Sequence, residues 1–284
     1  MAGESPVANV SDTARWVAQY RANESARPDA IFRDPLAARL AGERGRAILA
    51  DAPRKLRSGW SIVARTKLID DLVLACVAEG CARVVNLAAG LDTRPYRLPL
   101  PPSLVWIEAD LPALIDEKER LLAGETPVCA VTRARVDLAD AAARAAFLAG
   151  LAGDARTLVI TEGLVQYLDE ATVAALARDL AACAPVRWWI VDLISPGALA
   201  MIRGTRGHRA ASLMGFAPDS GVGFFEAAGP WRAREIRSIV REAIRLRRAP
   251  WRLRPFAWAP DPDPRSPGAA RWFGVTRLER EPGR

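Results

Sequence analysis

An α/β fold with an open, mostly parallel central sheet is the architecture this sequence predicts, and three observations predict it. From Arg83 onward, short apolar segments of strand length alternate with amphipathic segments of helical period, an order that pairs strands in parallel and sets helices on both faces. The first of those strands runs into a turn of small residues, Ala88-Ala89-Gly90, where a ligand can approach the backbone closely. Ahead of Arg83 the apolar residues recur with helical period only.

Residues 1–82 are therefore expected to form a helical N-terminal region of the same domain. Ala14, Val17, Ala18 and Tyr20 fall at near-helical spacing over 13–23. Pro28, Asp34 and Pro35 mark turns, a short helix over 36–40 ends at Gly42, and a further helix and loop over 45–59 break at Pro53. Residues 61–79 carry the strongest pattern: Ile62, Val63, Ile69, Leu72, Val73, Cys76 and Val77 line one helical face, and Gly80 stands where a left-handed cap belongs.

Residues 83–284 are expected to form the ligand-binding α/β part. Strands are predicted at 83–87, 104–110, 131–138, 158–161 and 187–193, with helices at 111–122, 140–151 and 169–183, the last two started by Asp140 and Asp169. Beyond the fifth strand, residues 195–232 are rich in Gly, Ser, Ala and Met and read as a lid. A helix at 234–249, a proline-rich loop at 260–267 and a last strand at 272–278 complete the expectation.

A chain of 284 residues, half of them hydrophobic, fits one large domain with a substantial core. Residues 1–12 are polar and lack the apolar core of a signal peptide, and no apolar run approaches the ~18–20 residues of a membrane span. Cys76, Cys81, Cys129 and Cys183 are scattered, with neither zinc-site nor disulfide-framework spacing. A cytoplasmic protein without metal or membrane partner is the expectation. The net charge of +7 comes almost wholly from arginine, the lysines being Lys55, Lys67 and Lys118. The arginines read as spread through Ala/Arg-rich helices without interleaved aromatics, so nucleic acid is not the expected partner. Their densest cluster, 241–248, reads as a solvated helix face or a docking patch.

In an open parallel sheet, ligands bind outside the carboxyl ends of the strands. Those ends carry Ala88 to Thr93, Glu108 and Asp110, Asp137-Leu138, Thr161-Glu162-Gly163, and Asp192. Singly, each acid has a bland role as a helix cap. Together they suit an adenosine: an acid at the second strand end, where Glu108 and Asp110 stand, can accept from both ribose hydroxyls, and Asp137 can hold the adenine amino group while the Leu138 backbone lines the ring. A dinucleotide requires G-x-G-x-x-G to cradle its pyrophosphate, whereas this turn has Gly90 alone. A ligand with ribose and adenine but no phosphate fits better, and S-adenosyl-L-methionine is such a ligand.

The sequence also resembles the leucine carboxyl methyltransferase family. The resemblance rests on VVNLAAGLDTRPYRL at 84–98 and TEGLVQYL at 161–168, supported by TARWVA and RANES at 13–25, FRDP at 32–35, ART at 64–66, IEADLP at 107–112 with Lys118, and Asp137-Leu138. It covers residues 12–195 well and the remainder weakly. It implies a Rossmann-like class I methyltransferase fold and an S-adenosylmethionine-dependent O-methyltransferase, similar to the bacterial branch acting on polyketides and other small molecules. It assigns the ribose to Asp110, adenine to Asp137 and Leu138, and the methionine portion to the backbone around Ala88 and Gly90. It further implies Arg65 and Arg21 for the methionine carboxylate and Glu162 for its amino group or the sulfonium edge. The family usually has glycine where this chain has Ala88, whose methyl narrows the turn and opposes a positive φ.

Methyl transfer from a sulfonium is an in-line displacement, and holding nucleophile, methyl and sulfur in line can supply ~7–11 kcal/mol of the barrier. A carboxylate acceptor, with a pKa near ~4, is already ionised at neutral pH, whereas a phenol, at ~10, calls for a base. His208, the one histidine, is a candidate base, and Tyr167 a candidate for orienting the acceptor. Met201, Met214, Phe216, Phe224 and Phe225 either line an apolar acceptor pocket or pack the lid onto the sheet. A small-molecule carboxylate or hydroxyl is the expected acceptor. Protein carboxyl or RNA methylation, and a non-catalytic binding protein on the same fold, are the alternatives.

Overall fold

The computed structural model describes residues 10–151, 153–204 and 213–281. Three helices come first: α1 (Val10–Ser25), α2 (Ala37–Asp51) and α3 (Trp60–Ala78). As expected, the helical path breaks at Gly42: α2 is two helical pieces joined by a kink there, with Gly42 at φ 58° and ψ −164°. Gly59 caps α3 at φ 57°, and a Cβ there would collide with the Tyr20 ring of α1. This close approach, with Tyr20 donating to the Leu56 carbonyl at 2.6 Å, fixes the start of α3 against α1.

Strands and helices then alternate: β1 (Arg83–Leu87), the one-turn α4 (Arg94–Arg97), β2 (Val105–Asp110), α5 (Pro112–Leu121), β3 (Ala130–Arg135), α6 (Ala141–Ala149), β4 (Thr157–Thr161), α7 (Glu170–Ala182) and β5 (Val186–Ile194). Asp140 caps α6 by accepting from the Ala142 and Ala143 amides, and Asp169 caps α7 through Thr172. After β5 come α8 (Pro196–Arg203), α9 (Gly223–Ala228), β6 (Trp231–Ser238), α10 (Ile239–Arg245) and β7 (Phe273–Arg280).

The seven strands form one sheet in the order β3-β2-β1-β4-β5-β7-β6. The five from β3 to β5 are parallel, and β7 runs antiparallel to both of its neighbours. Successive strand residues feed two cores. Val85, Val159, Trp189 and Val191 pack with Leu176 of α7 and Phe225 of α9, while Val84, Leu158, Trp188 and Ile190 pack with Leu68 and Leu72 of α3 and Ile239 of α10. Trp188 and Trp189 are both buried, one on each face.

The expected helix over 234–249 is corrected. Its first part is the end of β6, and α10 begins at Ile239 with Ser238 as its cap. The strand is charged because it lies at the sheet edge, with Arg232, Arg234 and Arg237 exposed, and a bulge between Ala233 and Glu235 interrupts its alternation. The segment read as a lid is anchored rather than loose over its described residues. Phe216, Val222 and Phe225 are buried in the core beside Trp189 and Trp231, with ring centroids of Trp189 and Phe225 4.9 Å apart. No helix among the described residues is long and apolar enough to cross a membrane.

Candidate functional site

The turn after β1 is a tight reversal built from left-handed residues. Ala88 adopts φ 54° and Gly90 φ 49°. Glycine adopts this geometry freely, but the Ala88 side chain costs about 1–2 kcal/mol there. The Gly90 amide donates to Asp110 Oδ2 at 2.7 Å, and the Leu111 amide donates to Oδ1 of the same carboxylate at 2.7 Å. Asp110 thus joins the end of β2 to the turn after β1. Burial pushes its carboxyl upward, partly offset by the two amides and by Lys118.

Beside this turn lies a chain of ion pairs. From α3, Arg65 Nε donates to Glu162 Oε1 at 3.0 Å and its Nη1 to Asp192 Oδ2 at 2.9 Å. Glu162 follows β4 and also meets Arg94 Nη1 at 2.8 Å. Arg94, only 2% exposed, further pairs with Asp70 at 2.7 Å and Asp92 at 2.6 Å, and Arg97 grips Asp70 with both Nη atoms. Burial raises the carboxyls of Asp92 and Glu162, but the guanidiniums overcome it. Arg94 leads in holding Asp92 well below the usual carboxylate range, and Arg94 with Arg65 holds Glu162 low. Asp192 also accepts from the Gly163 amide at 2.7 Å and from Gln166 Nε2 at 3.0 Å, which fixes the 162–167 segment over the end of β5.

The other expected site residues fall in different places. Arg21 is buried, donating from Nε to Asp34 at 2.8 Å and from Nη2 to the Leu91 carbonyl at 2.6 Å, while Thr93 donates to the same Asp34 oxygen. It braces the turn from the α1 side. Asp137 is exposed and accepts from the Ala139 amide at 3.0 Å; Leu138 is buried, its carbonyl taken by Arg144. Tyr167 is half-buried, and burial outweighs nearby Arg65 in raising its phenol. His208 lies outside the described residues. Glu108, fully buried, pairs with Lys118 at 2.7 Å and Arg133 at 2.8 Å inside the domain, and is occupied in bracing β2 and β3. Two members of the network went unread in the sequence, Asp70 and Gln166. A signal for Asp70 was present: it is an acid next to Ile69 on the buried side of α3, where only a paired carboxylate is tolerated.

The family model described as leucine carboxyl methyltransferase matches residues 14–181, from α1 through α7. The chain belongs to this family. Among its relatives, a protein of Parafrankia sp. strain EAN1pec, named for an inferred S-adenosyl-L-methionine-dependent methyltransferase, is 33% identical over 85% of this chain and 82% of its own length. A similarly named protein of Frankia alni is 33% identical over 82% of this chain and 86% of its own. One of Streptomyces coelicolor is 38% identical, but the match spans 58% of this chain and 62% of that protein. In three dimensions the chain is similar to a DUF574 family protein of Streptomyces avermitilis MA-4680, with TM-score 0.58 and 14% identity over 95% of this chain and 97% of that one. It is also similar to a Thermobifida fusca YX structure described as an inferred methyltransferase, with TM-score 0.56 and 13% identity over 98% and 96%. These two likenesses concern the fold, which is Rossmann-like. The family member described here is an S-adenosyl-L-methionine-dependent methyltransferase.

Proposed function

We propose that this leucine carboxyl methyltransferase family member methylates an oxygen, carboxylate or hydroxyl, of a small-molecule acceptor, in the manner of secondary-metabolite tailoring. The observation that carries the reading is the pairing of two features on either side of β1. The Asp110 carboxylate is clamped by Gly90 and Leu111 on the β2 side, and the Arg65–Glu162 pair stands on the β4 side.

The donor set fits the cofactor's chemistry. Asp110, its orientation fixed by two amides, keeps acceptor capacity on both oxygens for a vicinal diol. Arg65 and Glu162 present one positive and one negative group side by side, the complement of an amino acid's carboxylate and ammonium. Asp137 and Leu138, after β3, are the residues for the adenine, and Ala88 and Gly90 offer backbone to the methionine portion. Arg21 supports the turn after β1 through the Leu91 carbonyl. The bound cofactor supplies an electrophilic methyl group on a sulfonium sulfur. Tyr167, a phenol protonated at neutral pH and pushed further up by burial, is suited to orient an acceptor as a hydrogen-bond donor. A carboxylate acceptor is ionised under the same conditions and attacks without a base. The free cysteines, three of them buried, suit a reducing cytoplasm.

Calorimetry with S-adenosylhomocysteine tests the cofactor assignment. Asp110→Ala is expected to weaken binding by about 1.5–3 kcal/mol per lost charge-assisted hydrogen bond. Wild-type affinity in that variant overturns the placement. Incubation with methyl-labelled cofactor and a panel of carboxylic acids and phenols tests the acceptor: label in a base-labile ester marks a carboxylate, and label in a stable ether marks a hydroxyl. Label confined to added RNA or protein overturns the small-molecule reading.

A further inference from the structure

The segment between α10 and β7 departs from what the sequence was expected to show. Residues 243–260 hold five arginines and no acid, and within Trp251-Arg252-Leu253-Arg254-Pro255-Phe256 arginines and apolar residues do alternate. Residues Trp251–Ala257 form a 3-10 helix with no buried residue. Trp251 is 71% exposed, Phe256 55% and Trp258 86%, and these are the exposed aromatics among the described residues. The segment is held against α10, where Arg241 donates to the Ala257 and Ala259 carbonyls, yet its three large aromatics within eight positions point away from both cores.

Of the five arginines around them, two are paired with carboxylates among the described residues and three are not. Arg245 is paired with Glu242, and Arg248 with Glu24 and Asp29. Arg247, Arg252 and Arg254 have no carboxylate partner among the described residues, and Arg252 lies over the Trp251 ring at 5.4 Å from its centroid. The surface is therefore aromatic and cationic, and Pro250, Pro255 and Pro260 restrict its backbone.

We infer that this face docks the enzyme on an anionic lipid surface. Trp and Phe settle at the headgroup level of a bilayer, and arginines among them attract acidic headgroups. The segment would lie on the membrane and not cross it, and the chain's net charge of +7 acts in the same direction. A second copy of the chain is a poorer occupant, because a two-fold contact through this face sets one cluster of unpaired arginines against another. Single-stranded nucleic acid stacks its bases on open aromatic faces, and here one Trp251 face already carries Arg252.

Vesicle co-sedimentation of the full chain tests this, using phosphatidylcholine alone and an equimolar mixture with phosphatidylglycerol, at low and high salt. The wild type is expected to bind the anionic vesicles, with loss at high salt. A triple variant Arg247→Gln, Arg252→Gln, Arg254→Gln should bind on the order of a hundredfold less well to them. A triple variant Trp251→Ser, Phe256→Ser, Trp258→Ser should lose about tenfold or more. Circular dichroism and S-adenosylhomocysteine binding unchanged in both variants separate this from misfolding, since none of the six residues is buried. Absence of vesicle binding, or binding that neither variant weakens, overturns the proposal. So does retention of single-stranded RNA without vesicle binding, or a dimer in sedimentation that the aromatic variant alone converts to monomer without vesicle binding.

Discussion

Arg65 and Glu162 stand 97 residues apart in the chain and 3.0 Å apart in the fold, Nε of one donating to Oε1 of the other. Each is also tied elsewhere, Arg65 to Asp192 and Glu162 to Arg94, so the pair locks α3 to the segment that follows β4. Arg65→Met is expected to weaken S-adenosylhomocysteine binding by about 1.5–3 kcal/mol, read by calorimetry. An affinity within twofold of wild type would show that Arg65 serves only to lock α3 to the segment after β4.

Arg94 is the hub of the buried charges, and its loss should be felt in stability first. Arg94→Met removes the ion pair of Asp92 and one of two cations from each of Asp70 and Glu162, which is expected to cost about 3–5 kcal/mol in urea unfolding. Arg94→Lys should recover little of it, because an ammonium cannot reproduce a planar fork that meets three carboxylates.

The same network fixes the direction of acid sensitivity. Asp34, Asp92 and Glu162 all titrate lower in the folded chain than in the unfolded one, Asp34 because Arg21 and Thr93 overcome its burial. Their contribution is complete above the unfolded values, about 4, and is lost as pH falls from there through the lower folded values. Asp110, raised by burial, works the other way: its contribution is present below the unfolded value and lost as pH rises through the folded one. Three groups against one give a net fall in unfolding free energy between pH 5 and pH 3, measurable by urea titration. A flat profile there would contradict the paired state of these carboxylates.

Ala88→Gly should stabilise the chain. Relief of the left-handed alanine outweighs the added freedom of the unfolded glycine, for a net gain of up to about 1 kcal/mol. Ala88→Val should lose stability instead, because a β-branched residue is strained at that φ. Thermal melts of the two variants beside the wild type decide it, and a stabilised valine variant would refute the backbone geometry.

Phe225→Ala removes a fully buried ring that meets Trp189 edge-on and should cost about 3–5 kcal/mol in chemical unfolding. A loss below about 1 kcal/mol would mean that α9 is free of the core.

The central parallel strands β1, β4 and β5 were legible because strands buried on both faces read as short apolar runs, and β1 is bounded in the structure where its pattern predicted. Edge strand β6 was not, because a strand facing solvent at the sheet margin can carry Arg232, Arg234 and Arg237 and mimic a charged helix. Within the site, the acids at strand ends could be listed from the sequence, but their partners could not. Asp110 and Glu108 sit two residues apart on the same strand; one faces the turn and the other closes on Lys118 and Arg133, a difference set by tertiary contacts alone. The partner of Arg65 likewise depends on how α3 lies across the sheet, which no local spacing encodes.

The position of β7 bears on how the molecule is made. It is the last described strand in chain order, yet it is inserted between β5 and β6. During synthesis, β1 to β5 can assemble into a parallel sheet as they leave the ribosome, while β6 emerges with no neighbour to join. Only when residues 273–280 arrive do both vacant edges close at once. Clipping the chain ahead of Phe273 would therefore strand two edges, not one, and should turn a cofactor-binding protein into an aggregating one.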